Sequence, residues 1–299
     1  MSDPRCSVVI PCYRQAGSLR SCIGGLAPAH QGDGFEVIVI DGGCEASIAC
    51  AGPVPSMRFI RSESRLWPGA ARNLGARASR GEFVLFLDAD CVPEPGWIRA
   101  ASAGLQAGAR LVGGPVLDLL PTHPIAASDN LLQFVECGAG RPEGPVTRLP
   151  SCNLGIRRVD FDALGGFAEV AAAEDILFSQ AALSRWPDGF RFLPTMRVRH
   201  LGRTGLQAFL THQTWFGYSR GRLRNDLTLR QQRLAASPVM LPAVVAKRLG
   251  YILGRTAAWN PRGLARAVGL SPLLIVGLSA YAIGLRRGLR GGPAPGEPW

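Results

Sequence analysis

Short apolar runs recur through the first third of the chain, at residues 7–11 (SVVIP), 35–40 (FEVIVI), 57–60 and 83–87 (FVLFL). Each is too short for a helix, rich in branched side chains and apolar on both faces. That pattern suits strands of a parallel sheet covered by helices. Between them the sequence predicts helices over about 18–26, 69–80 and 97–107. Strand and helix in alternation predict an α/β sandwich with right-handed crossovers. In such sheets ligands bind beyond the carboxyl ends of the strands. Three of the runs end there in Pro11-Cys12-Tyr13, Asp41-Gly42-Gly43 and Asp88-Ala89-Asp90.

Residues 110–200 read as mixed α and β. A Gly- and Pro-rich irregular stretch covers 136–150, a loop of the kind found near binding sites. A helix is expected over 175–184, after Glu174-Asp175, and a strand over 190–200, ending at His200. Later segments are different. Residues 267–285 hold 19 positions without a charge, flanked by Arg262 and Arg266 before and Arg286, Arg287 and Arg290 after. As one helix this would reach roughly 28 Å, against a hydrocarbon core of about 30 Å. With Ser271 as N-cap and Pro272 at the first helical position it is shorter and suits the membrane interface. Residues 238–254 form a second apolar stretch, broken by Lys247-Arg248.

Charge sharpens this division. The net charge of +11 is uneven: residues 1–196 carry −3 and residues 197–299 carry +14. A near-neutral body, 1–205, thus precedes a cationic helical region, 206–299. Apolar segments among arginines fit an anionic membrane surface; a soluble helical subdomain is the alternative. No nucleic-acid-binding motif accompanies the arginines, so nucleic acid is not expected as a partner. The eight cysteines form no CxxC pair and read as small core residues of a reduced chain. No secretory leader is evident at Met1–Arg5, which places the body in the cytoplasm.

The chemistry concentrates in carboxylates. Asp160-Phe-Asp162 follows no strand and reads as a helix N-cap. Asp88-Ala-Asp90 follows a buried strand, where two carboxylates repel unless a cation joins them, and oxygen ligands suit Mg²⁺ or Mn²⁺. Asp41 ends a strand beside glycines that admit a ligand, or serves a turn. Glu174-Asp175 opens a helix, as general base or as dipole-favoured first-turn acids. His200 is placed to close a metal site. Arg72, near a helix start, is a candidate diphosphate contact.

Taken in order, these segments resemble glycosyltransferase family 2, inverting enzymes of the GT-A fold, over about residues 7–200. SVVIPCYR (7–14), IDGGCEA (40–46), PGAARNLGARASRGEFVLFLDADCVP (68–93), SCNLGIRRVDFDALGGFAE (151–169) and AEDILFSQAAL (173–183) carry the resemblance. It implies a Rossmann-like nucleotide-diphospho-sugar sandwich followed by the basic, apolar helical region. It also implies nucleotide contacts at Pro11, Tyr13, Asp41, Arg72 and Asp88, metal binding at Asp90 and His200, and the catalytic base at Asp175. Asn153 and Glu174 fall to the sugar and acceptor, while Trp215 either grips the acceptor, sits at the membrane interface or packs in the core of its helix. The chain departs from the family pattern at Arg14, where Asn is usual, and at Cys44-Glu45-Ala46, where Ser-Thr-Asp is common. No QxxRW follows the acidic pair, which disfavours a processive polymerase. HQTWFGYSRGR (212–222) resembles succinoglycan-type exopolysaccharide enzymes. The implied reaction moves a sugar from a nucleotide sugar, of UDP by family expectation, to a lipid-linked or glycan acceptor. It would occur at the cytoplasmic face of the membrane, reached peripherally or by one short C-terminal segment. A sugar nucleotidyltransferase and a non-catalytic membrane-attached binding protein are the alternatives. The first lacks its Gly-rich loop after strand one, and the second is at odds with the intact acidic series.

Overall fold

The structure, a computed structural model, describes residues 4–27, 34–42, 57–171, 173–223 and 237–296. The chain divides into two compact units, Met1–Leu117 with Arg141–His200, and Asp118–Gly140 with Leu201–Trp299. The sequence puts a single division near 205. In the structure the division falls at 200, and the excursion 118–140 joins the later residues.

In the first unit β1 (Cys6–Cys12), β2 (Phe35–Asp41), β3 (Met57–Arg61) and β4 (Phe83–Leu87) are parallel neighbours in the order β3-β2-β1-β4. Helices α1 (Ala16–Leu26) and α2 (Pro68–Ala78) provide the crossovers, and α3 (Trp97–Gln106) follows β5 (Cys91–Pro93). β1, β2 and β4 are buried almost throughout, as continuous apolar runs require. The sheet then turns mixed. β9 (Asn153–Arg157) runs antiparallel to β4 and to β6 (Leu111–Gly113), and β10 (Phe190–Phe192) and β8 (Gly144–Pro145) complete eight strands. A second sheet has the order β5-β11-β7, with β11 at Val198–His200 and β7 at Val116–Asp118.

Three local expectations are corrected. The single strand over 190–200 is two strands in different sheets. A turn at Leu193, where the Met196 N–H donates to the Leu193 carbonyl, separates them, and Pro194 within it has no N–H for a ladder. Asp160 lies inside α5 (Arg158–Leu164), whose N-cap is Arg157. It accepts from Arg110 at 2.8 Å and Arg157 at 2.7 Å, so its role is charge pairing. Ser271 is likewise the first helical residue rather than the cap: its hydroxyl bonds back to the Ala267 carbonyl.

At the amino-terminal edge of the sheet Glu36, 1% exposed, ties three segments together. It accepts from the Ser7 hydroxyl at 2.8 Å, the Arg80 backbone N–H at 2.6 Å and Arg58 at 2.9 Å. Burial alone would raise its pKa; these donors overcome that and hold it below the usual glutamate range.

The second unit is helical: α4 (Pro124–Phe134), α7 (Leu206–Leu223), α8 (Leu241–Trp259), α9 (Leu264–Gly269) and α10 (Ser271–Leu289), with α6 (Glu174–Arg185) belonging to the first. Ala127, Leu132, Phe209, Ile252, Leu274 and Leu278 form its core. α7 and α10 cross backbone to backbone. A methyl group on Gly217 or Gly221 of α7 would meet the Tyr281 or Leu285 carbonyl. One on Gly284 or Gly288 of α10 would meet the Thr214 or Tyr218 carbonyl. The two Gly-xxx-Gly pairs thus face each other, the small-residue device for close helix contact. Buried Asp129 accepts from Gln213 at 2.9 Å and from the Arg203 backbone at 3.1 Å, with His212 at 3.4 Å. Among the described residues α10 alone is long and apolar enough to cross a membrane, by length and composition.

Two stability predictions follow from these contacts. Because the folded pKa of Glu36 is depressed, its contribution is fully present above the unfolded value, near ~4.3, and is lost as pH falls through the folded value. Wild type should therefore lose several degrees of melting temperature on acidification below about pH 5 that Glu36→Gln does not lose. Parallel melting curves of the two proteins would contradict this. Gly284→Val should cost about 1–3 kcal/mol or more by forcing the helices apart. An unchanged melting temperature would mean that the crossing is looser than described.

Candidate active site

The carboxyl ends of β1, β2 and β4 bring the predicted polar residues to one edge. Asp41 closes β2, fully buried, opposite Cys12 of β1 and Arg61 of β3. Beyond β1 lies Tyr13, then Arg14 in the left-handed region at φ 55°, an uncommon conformation for a side chain of this size. The Arg65 guanidinium lies over the Tyr13 ring at 4.8 Å and over Trp67 at 4.5 Å. Arg65 and Trp67 were not singled out in the sequence. The available signal was an Arg and a Trp directly before the Pro that starts α2. Pro11 is half-buried on the same edge. Gly43 and Cys44-Glu45-Ala46 lie outside the described residues.

Asp88 and Asp90 follow β4 in a tight turn closed by the Cys91 N–H donating to the Asp88 carbonyl. β5 then pairs antiparallel with β11 so that His200 stands opposite Cys91. This register delivers the His200 imidazole to Asp90, Nε2 to Oδ2 at 3.8 Å. The Gln15 amide donates to the same oxygen at 3.2 Å. His200 is 3% exposed and the Asp90 side chain 14%.

Arg72 is placed differently from an open diphosphate contact. Its side chain is 2% exposed and lies between two carboxylates. One terminal nitrogen donates to Asp88 Oδ1 at 2.5 Å and the other to Glu174 Oε1 at 2.6 Å. Burial works against the guanidinium charge, but the two carboxylates more than offset it and raise the Arg72 pKa. Burial pushes Asp88 and Glu174 up in turn. Arg72 pulls each back, while Asp90 and Asp175 respectively add repulsion.

The surrounding backbone is fitted to this cluster. Next to Arg72, Asn73 clamps Phe167 from both sides: its amide donates to the Phe167 carbonyl at 2.9 Å and its carbonyl accepts the Phe167 N–H at 2.8 Å. Gly69 allows α2 to touch the same segment; a methyl there would lie 2.5 Å from the Ala168 carbonyl and 3.3 Å from Glu174 Cβ. Phe167 stacks on Phe178 of α6 at 4.3 Å and meets Phe86 of β4 edge-on at 5.1 Å. The acidic pair opens α6 after Ala173, itself left-handed at φ 67°. Glu174 is buried and Asp175 half-exposed, so the two neighbours face different surroundings.

One predicted sugar or acceptor residue of the first unit is spent on the scaffold. Asn153 is fully buried, and its amide is committed to the scaffold: it accepts from Trp97 Nε1 at 2.8 Å and donates to the Met196 carbonyl at 2.9 Å and the Pro115 carbonyl at 3.2 Å. Trp215 lies buried on α7 in the second unit.

The family model of glycosyl transferase family 2 matches residues 7–119, the segment that builds β1 to β4 and the Asp88-Ala-Asp90 turn. Residues 7–119, less than half of the chain, are thus similar to a family 2 glycosyltransferase domain. The chain is 27% identical over 268 residues to the pre-mycofactocin glycosyltransferase of Mycobacterium tuberculosis, covering 84% of this chain and 54% of that one. It therefore spans about half the length of such a curated relative. Succinoglycan biosynthesis protein ExoO of Rhizobium meliloti is 33% identical over 112 residues, 34% of this chain and 32% of its own. That partial match lends only weak support to a succinoglycan subclass. Among solved structures, the mannosyltransferase PcManGT from Pyrobaculum calidifontis, in complex with GDP-Man and Mn²⁺, superposes with a TM-score of 0.58. It is 17% identical, covering 97% of this chain and 88% of that one. That likeness establishes the GT-A fold.

The residues present fit a divalent cation. Among the described residues no three of His, Cys, Asp and Glu close on one point. Asp88 and Asp90, however, are carboxylates that repel each other, and burial disfavours the charge on Asp88. Oxygen donors with one imidazole suit Mn²⁺ or Mg²⁺ completed by phosphate oxygens.

Proposed function

We propose that this chain transfers a sugar from a nucleoside-diphosphate sugar to a hydroxyl acceptor, with inversion and with a divalent cation. The observation that supports it most is the approach of His200 to Asp90, two residues after Asp88 at the carboxyl edge of the sheet, while Asp175 opens a helix whose neighbouring Glu174 shares Arg72 with Asp88. Asp41 and Tyr13 take the base, and Asp88 the ribose and metal region. Asp90 and His200 hold the cation. When bound, Mn²⁺ or Mg²⁺ neutralises charge on the leaving diphosphate. Asp175 takes the proton of the acceptor hydroxyl as its oxygen bonds to the anomeric carbon. The bond from that carbon to the diphosphate breaks on the opposite face, and its electron pair leaves with the nucleotide. UDP is the expected nucleotide.

Asp175→Asn should lower turnover by about 10²–10⁴-fold, the usual contribution of a general base, with nucleotide affinity changed less than twofold. The measurements are sugar transfer and calorimetric titration with UDP and GDP, each with and without Mn²⁺. Activity within a few-fold of wild type would remove Asp175 from the role. Absence of any metal-dependent nucleotide binding would remove the transferase reading itself.

The acceptor is a lipid-linked or polysaccharide hydroxyl presented at the cytoplasmic face of a membrane, in envelope or exopolysaccharide synthesis. Apolar side chains exposed on α9 and α10 support this: Val268, Ile275, Val276 and Ile283 face outward. Arg262, Arg266, Arg286, Arg287 and Arg290 flank them. An apolar strip edged by arginines matches an anionic bilayer interface. The protein should sediment with vesicles containing anionic lipid and stay in solution with zwitterionic ones. Ile275→Asp with Ile283→Asp should weaken sedimentation at least tenfold. Equal behaviour of the double variant and wild type would exclude this face.

A further inference from the structure

We infer that Glu174 is a positioning residue for the donor seat, acting through Arg72 on Asp88 rather than by touching the acceptor. The inference rests on the proposed transferase reading and gives Glu174 a part other than the sugar or acceptor contact that the resemblance implies. Glu174 lies 102 residues after Arg72, and its carboxylate receives one terminal nitrogen at 2.6 Å. The opposite terminal nitrogen holds Asp88 Oδ1 at 2.5 Å. Arg72 is 2% exposed and the Glu174 side chain 9%, whereas the Asp88 side chain is 31% exposed. A ligand in the cleft can therefore reach Asp88, while the guanidinium and Glu174 stay behind it.

The planar fork of Arg explains why both acids are needed. A guanidinium bridging two carboxylates has its rotation about the long side chain fixed at both ends. With Glu174 in place Asp88 is gripped through one oxygen, and its second oxygen keeps a set direction. Without Glu174 a buried N–H loses its acceptor, and the cation turns wholly toward Asp88. Asp88 then becomes a tighter partner of Arg72 and a poorer one for a ligand. The arrangement extends to the backbone. The Asn73–Phe167 clamp and the approach of Gly69 to Ala168 hold α2 against the segment leading into α6. The same helix start carries Asp175, so the seat of the donor and the proposed base share one anchor.

The test is a double-mutant cycle read by nucleotide affinity, which needs no acceptor. Titrations use the full-length protein with UDP and GDP in the presence of Mn²⁺. Glu174→Gln keeps shape and removes the charge; it should weaken metal-dependent binding about tenfold. Arg72→Lys keeps the charge but cannot bridge both acids, and should weaken binding to a similar degree. Combined, the two changes should be no worse than either alone within about twofold, since they break the same link. In the Asp175→Asn background, by contrast, Glu174→Gln should retain its full tenfold effect. A purely structural Glu174 would lower the melting temperature and leave affinity unchanged, and that result overturns the inference. Additive loss with Arg72→Lys also overturns it. If Glu174→Gln does not fold, Arg72→Lys alone decides: unchanged affinity rejects the link. Wild type that binds neither nucleotide would fail differently, by removing the transferase reading on which the inference stands.

Discussion

A guanidinium with almost no access to water must be matched by charge where it sits. Arg72 meets that condition with two carboxylates from distant parts of the chain, at 2.5 Å and 2.6 Å. Removing one partner of such a cluster leaves an uncompensated buried charge, commonly a cost of about 3–5 kcal/mol. The constraint reaches outward. α2 must start where its second turn can aim Arg72 at the end of β4. The segment before α6 must lie close enough for Glu174 to meet it. Gly69 allows that approach, Asn73 fixes it by two hydrogen bonds, and the rings of Phe86, Phe161, Phe167 and Phe178 fill the space behind.

The opposite edge of the sheet holds a second buried charge cluster for comparison. Glu36 is buried too, but every donor to it comes from the protein, and its pKa falls below the ordinary range. Asp88 and Glu174 are also paired, yet burial and like-charged neighbours hold their pKa values above it. The shifts are opposite at the two ends of one sheet: donors outweigh burial at Glu36, and burial outweighs Arg72 at Asp88 and Glu174. A bound cation would complete that balance, which agrees with the general position of ligands in open α/β sheets.

Much of this was legible in the chain because strands and motifs are local. Residues 83–87 form a strand with the expected bounds, and Asp88, Asp90 and Asp41 stand at strand ends, where the apolar runs stop. What could not be read depends on partners far away in sequence. An Arg near a helix start looks like an anion contact until a carboxylate 102 residues on is found beside it. Asn153 stands in a family motif, yet its amide is consumed by Trp97, Pro115 and Met196. The split of 190–200 turns on whether a Pro-containing run stays in one ladder, and the grouping of 118–140 with the later residues has no local signature at all.

The second unit shows how an apolar helix can have two faces with different uses. On α10, Gly277, Gly284 and Gly288 face other helices of the unit, so one side is committed to packing. Ile275, Val276 and Ile283 stand exposed on another side. In water, close packing through glycines buries little side-chain area per residue, and an exposed apolar strip is a liability. Beside lipid both features become ordinary: small residues let helices approach by backbone contact, and apolar residues face hydrocarbon. Arginines stand in the last turn of the same helix and in the short elements before it. Tight backbone packing, an exposed apolar face and nearby positive charge are the features on which the proposal of a lipid-presented acceptor rests.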